Sequence, residues 1–311
     1  LTESQKHLKP MKISISATAP PWKSQEFADQ ITYVQEAERM GADTVWTLEG
    51  WGQDAVTPLA YLAAKTQTIK LGTAIMQVTA RTPAMTAMTA MTLSAMSEGR
   101  FILGLGSSGP QLVEGLHGQS FDKPLTRMKE TIEIIQRAFA GEKLEISGTQ
   151  LRLPLPGGQG KALRLGQPPS QDIPIYLATL GPKALEYTGQ IAQGWIGTAF
   201  APEGASSFLD PIRTGAYSAH RETNQLDIHV GAASVAARRT RQVGRLALQP
   251  RHGTDGGAAA LRGERAGDAA AIGGCRVSCL NFAWSRARRS DRVPAPRLAS
   301  AVRSRVFAPP R

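Results

Sequence analysis

The sequence predicts an α/β fold, a parallel (β/α)8 TIM barrel. Short runs rich in β-branched and apolar residues alternate with amphipathic helical segments, which is typical of a parallel sheet wrapped by helices. Seven such units follow one another in the first 230 residues. Their spacing of roughly 30 residues also suits a doubly wound open sheet, but seven units in this rhythm favour the closed barrel.

The predicted strands are Ile13–Ala17, Thr44–Leu48, Ile69–Ile75, Phe101–Leu105, Ile173–Ala178, Trp195–Ala199 and Leu226–Val230. The first helix starts near Gln25 and is predicted to stop at Gly41. Pro83 and Pro124 are favoured first-turn residues and begin two of the later helices. Residues 141–171 break the rhythm with too many Pro and Gly for a helix, so this insertion is a candidate lid.

Charge divides the chain into unequal parts. The 311 residues carry a net charge of +11. Residues 238–311, however, hold 16 Arg, no Lys and four acidic residues, so the first 237 residues are close to neutral. This break predicts a barrel region (11–236) and a tail rich in Arg, Ala and Gly (237–311). Met11 opens the first strand-like run, so residues 1–10 are predicted to be an N-terminal extension.

Three interpretations of the tail stay open. It is a disordered nucleic-acid-binding segment, a small unrelated domain, or the product of translating a GC-rich gene in the wrong frame. Such out-of-frame codons give mostly Arg, Ala, Gly and Pro, so we favour the third and expect no nucleic-acid partner. Its only strand-like run is Cys275–Trp284, and the barrel's last staves are therefore expected to be missing or replaced by the tail.

Several classes of protein are not expected. No run approaches the ~18 apolar residues of a membrane span, and the first ten residues lack an apolar signal core, so we expect a cytoplasmic protein. Cys275 and Cys279, four apart without a His cluster, are too little for a metal site. No Ser lies in a nucleophile elbow.

Function in such a barrel lies where strands end at the carboxyl face. Glu49, at the exit of the second strand, is the best placed acidic residue of the chain. Small residues after the third strand would let a flat ring approach the backbone, although Gly72 could instead mark a bulge. The turns after the fourth, fifth and sixth strands offer hydroxyls and N–H groups that suit an anion. The candidate cofactor-binding residues are Gly72, Thr73, Ala74, Ile75, Ser107, Ser108, Gly109, Thr179, Leu180, Gly181 and Thr198.

These turns resemble the luciferase-like superfamily, and among its members the oxidoreductases that depend on the deazaflavin coenzyme F-420 (F420). The resemblance is carried, in order along residues 11–236, by Val45–Gly52, Leu71–Val78, Gly104–Gln111, Leu153–Lys161, Tyr176–Lys183 and Gly194–Thr198. It implies an oxidoreductase that transfers a hydride between the coenzyme and a small organic substrate. It also implies a cis peptide bond between Ala74 and Ile75 that backs the coenzyme ring, with Glu49 as the acidic catalytic residue near the ring.

The same resemblance assigns Thr179–Gly181 and Thr198 to the coenzyme's phosphate-bearing side chain, and Ser107–Gly109 to the pocket mouth. Gly50 stands where the sugar-phosphate dehydrogenase branch has a His, so that activity is not expected. An FMN-dependent monooxygenase of the same superfamily is the alternative enzyme, and a decayed barrel with a basic nucleic-acid-binding tail is the non-enzyme alternative. A homodimer is possible, and the aberrant C-terminus could inactivate the chain.

Overall fold

The computed structural model describes residues 12–17, 24–170, 172–197, 204–233 and 276–281, the last segment and residues 231–233 through their backbone alone. The described strands form one parallel sheet of nine strands in the order β1-β2-β3-β5-β8-β9-β10-β11, with β4 beside β5, and a separate two-stranded hairpin. β11 pairs with β10 and also contacts β1, so the sheet returns to its first strand. The predicted TIM-barrel class is confirmed.

The strands are β1 (Ser14–Ser16), β2 (Thr44–Thr47), β3 (Lys70–Thr73), β4 (Met76–Gln77), β5 (Phe101–Gly106), β6 (Ile146–Ser147), β7 (Arg152–Leu153), β8 (Ile175–Ala178), β9 (Gly194–Gly197), β10 (Asp227–Ala233) and β11 (Arg276–Asn281). The helices are α1 (Ser24–Arg39), α2 (Val56–Ala63), α3 (Pro83–Met96), α4 (Pro110–Val113), α5 (Pro124–Phe139), α6 (Pro182–Ile191) and α7 (Ser206–Ser218), with a 3-10 turn at Thr223–Gln225. All seven predicted strands are present; the third corresponds to β3, and β4 follows directly after the predicted end at Ile75.

The last stave comes from the arginine-rich tail. β11 lies inside the run that the sequence marked as the tail's one strand-like stretch, and its register places Ile228 opposite Val277 and His229 opposite Ser278. A strand from the tail therefore takes the place of a barrel strand. The other expected outcome, a barrel that lacks this strand, is not observed. The remainder of the predicted tail, apart from β11, lies outside the described residues, and so does the extension 1–10.

Two layers of apolar packing hold the barrel. The larger one lies between the sheet and the helices and includes Val34, Leu71 and Ile132, all fully buried. The second fills the barrel interior with the rings of Trp46, Tyr176 and His229. Close packing of this kind leaves few voids, so small residues must face the large rings on the neighbouring strands.

Glycines stand directly beside these interior rings. Gly72 is the cross-strand partner of Trp46, and Gly194 is the partner of Tyr176. A Cβ at Gly72 would overlap the Trp46 indole, and one at Gly194 would lie 2.5 Å from the Tyr176 ring. The glycines are therefore required by the way in which the barrel fills its own interior.

The insertion at 141–170 does not cover the carboxyl face, and the lid interpretation is wrong. The segment connects the end of α5 to the start of β8, so it leaves and returns at the amino ends of the strands. Gln167 donates to Thr92 of α3 at 3.1 Å, and the Ser170 N–H donates to the Phe139 carbonyl at 2.9 Å. These contacts fasten the insertion to the outside of the helices.

A buried carboxylate anchors the hairpin of the insertion. Glu130 of α5 accepts the backbone N–H groups of Thr149, Gln150 and Leu151 at 2.8, 2.9 and 2.6 Å. Burial raises the pKa of Glu130, but these hydrogen bonds outweigh it and hold the pKa below its usual value. Gly148 leaves room for this carboxylate. The hairpin is thus tied to α5 by one side chain.

We predict that Glu130→Gln lowers the free energy of unfolding by about 2 kcal/mol, because an amide has only one accepting oxygen and its NH2 group leaves a buried backbone N–H group unpaired. The matched control is Glu133→Gln on the same helix, whose carboxylate is half exposed and paired with Arg137 at 2.8 Å. An exposed pair of this kind contributes about 0.5 kcal/mol or less. Urea denaturation of both variants measures the difference, and equal losses would contradict the anchoring role.

Candidate functional site at the carboxyl ends of the strands

Parallel register brings the predicted site residues to one end of the barrel. Thr47 lies opposite Thr73, and Gly106 lies opposite both Gln77 and Ala178. The turns that follow these positions therefore open on the same face. It is the carboxyl face, where barrel enzymes carry their active sites.

The peptide bond between Ala74 and Ile75 is cis, as the resemblance predicted. It lies between β3 and β4, with the Ala74 N–H donating to the Thr47 carbonyl at 2.5 Å. The Ile75 side chain packs against Gly106, where an added Cβ would lie 2.5 Å from Ile75 Cδ1. This segment, residues 74–77, is called the bulge below.

Glu49 is fastened to the bulge by its backbone and by its side chain. Its N–H donates to the Ile75 carbonyl at 3.1 Å, and its Oε2 accepts the Gln77 N–H at 3.0 Å. Oε1 forms an ion pair with Arg81 Nη1. The Glu49 side chain is only 5% exposed and the Arg81 side chain is 22% exposed. Both carboxylate oxygens are thus engaged inside the protein.

Three of the predicted cofactor residues make close contacts with other residues of the protein itself. Gly72 does admit a flat ring, but that ring is the chain's own Trp46. The Thr73 hydroxyl both donates to the Gly104 carbonyl and accepts the Gly104 N–H, each at 2.8 Å. The Thr179 hydroxyl bonds to the Thr188 hydroxyl at 2.7 Å. These residues support the rim, by which we mean the turns at the carboxyl ends of β2, β3, β5, β8 and β9, and direct contact with a cofactor remains a prediction for them.

The other predicted residues line the rim more openly. Ser108 is exposed with a positive φ of 59°, and Ser107 and Gly109 are half-buried. The helix after them, α4, has only four residues, so it adds little to anion binding. Leu180 is 59% exposed, and a Cβ at Gly181 would meet nothing within 4 Å. Gly181 precedes the ten-residue α6, whereas Thr198 lies outside the described residues.

Arg81 was not identified from the sequence. It lies 32 residues from Glu49, in the segment that leads into α3, and nothing in its local pattern marks it. Burial lowers its pKa from the usual value without neutralising a guanidinium. The contact depends on the fold, and only a structure or an alignment could reveal it.

A cavity of about 590 Å³ lies at the other end of the barrel. Its walls come from the amino ends of the strands, among them Lys70, Phe101, Pro174, Gln193 and Asp227. It is therefore distinct from the predicted site. Within the described ranges, no group of three or more His, Cys, Asp or Glu side chains could hold a metal ion, and no helix is long and apolar enough to cross a membrane.

Comparison with known proteins identifies the family. The sequence model of the luciferase-like monooxygenase family matches residues 10–276. The chain belongs to this family. The matched range extends beyond residue 236, where the sequence predicts the barrel region to end, and that boundary stays a prediction. Solved structures share the fold: a tetrahydromethanopterin reductase from Methanopyrus kandleri aligns with a TM-score of 0.61 at 24% identity, covering 71% of this chain and 65% of that one.

A monooxygenase from Streptomyces bottropensis aligns with a TM-score of 0.60 at 25% identity, covering 71% of this chain and 70% of its own. By sequence, this luciferase-like chain is 44% identical over 200 residues to a Mycobacterium tuberculosis protein assigned to the coenzyme F420-dependent oxidoreductases. It is 35% identical over 197 residues to 5,10-methylenetetrahydromethanopterin reductase of Methanolobus tindarius. These alignments cover 62% and 63% of this chain, and 58% of the length of each relative.

Proposed function

We propose that the chain binds the deazaflavin coenzyme F420 at the carboxyl face and transfers a hydride between it and a small organic substrate. The observation that carries this proposal is the similarity to F420-dependent relatives. It reaches 44% identity with one named for that coenzyme.

The rim offers features that fit such a group. Gly72 and Gly194 are crowded by rings, whereas Gly181 has open space above it, and Gly109 has only the Gln111 side chain at 3.6 Å. Ser107 and Ser108 carry hydroxyls at the same face, and the cis bond presents the bulge beside Glu49. We assign the coenzyme ring to the bulge, and its phosphate-bearing side chain to Thr179–Gly181, Thr198 and the start of α6, where backbone N–H groups suit an anion.

The coenzyme supplies the two-electron carrier, and the protein's part is binding, orientation and the exclusion of water. The bulge would back one face of the bound ring and leave the other face open to substrate. Glu49, with both oxygens engaged, is suited to holding the bulge and to setting the local electrostatic potential. We propose that it acts near the ring in this way.

Titration of the purified chain with F420 and, separately, with FMN tests this function. We expect the deazaflavin fluorescence to change saturably and FMN to bind more weakly. Tight binding of FMN without binding of F420 would establish the alternative, an FMN-dependent monooxygenase; the family description and the Streptomyces structure both name a monooxygenase. Binding of neither would contradict both assignments.

We predict that Gly181→Ala weakens coenzyme binding by about tenfold or more, because an added methyl group intrudes where the ligand approaches the backbone. Stability should change by no more than about 1 kcal/mol, since a stiffer unfolded chain offsets a poorer helix cap. The matched control is Gly160→Ala, which also meets open space but lies in the insertion. Equal affinities for both variants would remove the turn from the coenzyme site.

Further proposals concern the cellular location of the chain, its oligomeric state and its C-terminal residues. We propose a cytoplasmic location and a homodimer, which is supported by Tyr61, Met85 and Met96, exposed on α2 and α3. Sedimentation at two protein concentrations measures the oligomeric state. We also propose that residues 237–311 are translated out of frame, although the family model reaches residue 276 and β11 pairs with β10. Reading the gene in the shifted frame around codons 230–240 tests this, because family-like residues should then reappear.

A further inference from the structure

The pair formed by Glu49 and Arg81 joins three elements of the rim. Glu49 leaves β2 and contacts the bulge on both sides of Met76, through the Ile75 carbonyl and the Gln77 N–H. Arg81 enters from the start of α3, which is fixed by the Thr82 cap and Pro83. The pair therefore connects β2, the bulge and α3 at the point where the coenzyme ring is assigned.

The burial of this pair is unequal, and that asymmetry predicts which partner depends on the other. A carboxylate that is 5% exposed needs a cation nearby, because an unpaired buried charge is strongly unfavourable. Arg81 is more exposed and retains access to water. Removing the guanidinium should thus disturb the rim more than removing the carboxylate charge.

We propose that Arg81 is a positioning residue of the coenzyme site: by pairing with Glu49 it holds the bulge in the shape that the ring requires. This inference rests on the proposed function. Arg81 touches the carboxylate and acts on the ligand through it. Its effect should therefore appear in coenzyme affinity and depend on the identity of residue 49.

The test is a double-mutant cycle on the coenzyme dissociation constant, measured by deazaflavin fluorescence with the full chain. Arg81→Gln should raise the constant about 30-fold or more, the size expected when one partner of a buried pair is removed. Arg81→Lys should restore binding to within about tenfold, because it keeps the charge but lacks the forked geometry. Glu49→Gln combined with Arg81→Gln should bind more tightly than Arg81→Gln alone, since no unpaired charge remains.

The control is Arg137→Gln, which breaks an exposed pair on α5 and should leave the affinity unchanged. If Arg81→Gln binds like the wild type, or if the double variant shows only the product of the two single effects, the positioning role is refuted. Should Arg81→Gln fail to fold, Arg81→Lys and the double variant still decide: weak binding by both refutes it. A wild-type chain that binds no F420 refutes the proposed function instead.

Discussion

Gly72→Ala is expected to lower the free energy of unfolding by about 3 kcal/mol, because its methyl group would enter the ring of Trp46. The ring cannot move aside easily. It packs edge-on against His229 at a centroid distance of 4.9 Å and lies 5.9 Å from the ring of Tyr176. Chemical denaturation measures the loss.

A second substitution separates crowding from any other role of the glycine. Combining Gly72→Ala with Trp46→Leu creates space for the methyl group, so the double variant should be more stable than the sum of the single losses predicts. Gly160→Ala is the control, since its methyl group meets open space. If Gly72→Ala lowers the free energy of unfolding no more than Gly160→Ala does, the Trp46 ring does not exclude a larger side chain at residue 72.

The buried His229 should make the barrel sensitive to mild acid. Burial lowers its pKa to about 4, although the charges of Asp227 and Asp43 raise it and those of Lys70 and Lys12 lower it. The unfolded chain therefore binds a proton between about pH 6.5 and 4 that the folded chain does not. Stability is full above pH 6.5 and falls through this window, by about 2 kcal/mol between pH 7.5 and pH 5.

Unfolding free energies of the wild type and of His229→Phe at these two pH values measure this effect. The variant should lose most of the decline, because its ring cannot titrate. His117→Gln, which changes an exposed histidine, should retain it. Remaining above pH 5 avoids most of the titration of the carboxylates of Glu38, Asp43 and Glu130, whose pKa values lie below their usual range. A decline that persists in His229→Phe would assign it to other groups.

The architecture could be predicted because short apolar runs indicate the parallel strands, and local residue preferences indicate where the helices between them begin and end. Pro83 and Pro124 do begin helices, at the first positions of α3 and α5. Interior packing could not be predicted in the same way. That Trp46 lies against Gly72 is a fact of register between two strands, and a single sequence carries no direct signal of register. The glycine was accordingly interpreted as room for a ligand.

The sequence predicts a site at the carboxyl face, and the parallel register brings the predicted turns together there, but the contacts of individual side chains could not be predicted. The Thr73 hydroxyl is taken by Gly104, 31 residues away, and Glu49 is taken by Arg81, 32 residues away. Such contacts follow from tertiary structure. The position of the insertion after α5, by contrast, could have been predicted from the order of the elements, because a helix-to-strand connection returns to the amino ends of the strands. The topology alone already argues against a lid.

Hydrogen exchange with and without bound coenzyme locates the ligand at one end of the barrel or the other. Binding of F420 should slow exchange in the segments 47–51, 73–78, 105–109 and 178–185, which lie at the carboxyl face. The segments 68–70, 99–102, 172–176 and 224–227, around the cavity at the amino ends, should be unchanged. Protection confined to that cavity would contradict the assignment of the coenzyme to the bulge and the rim.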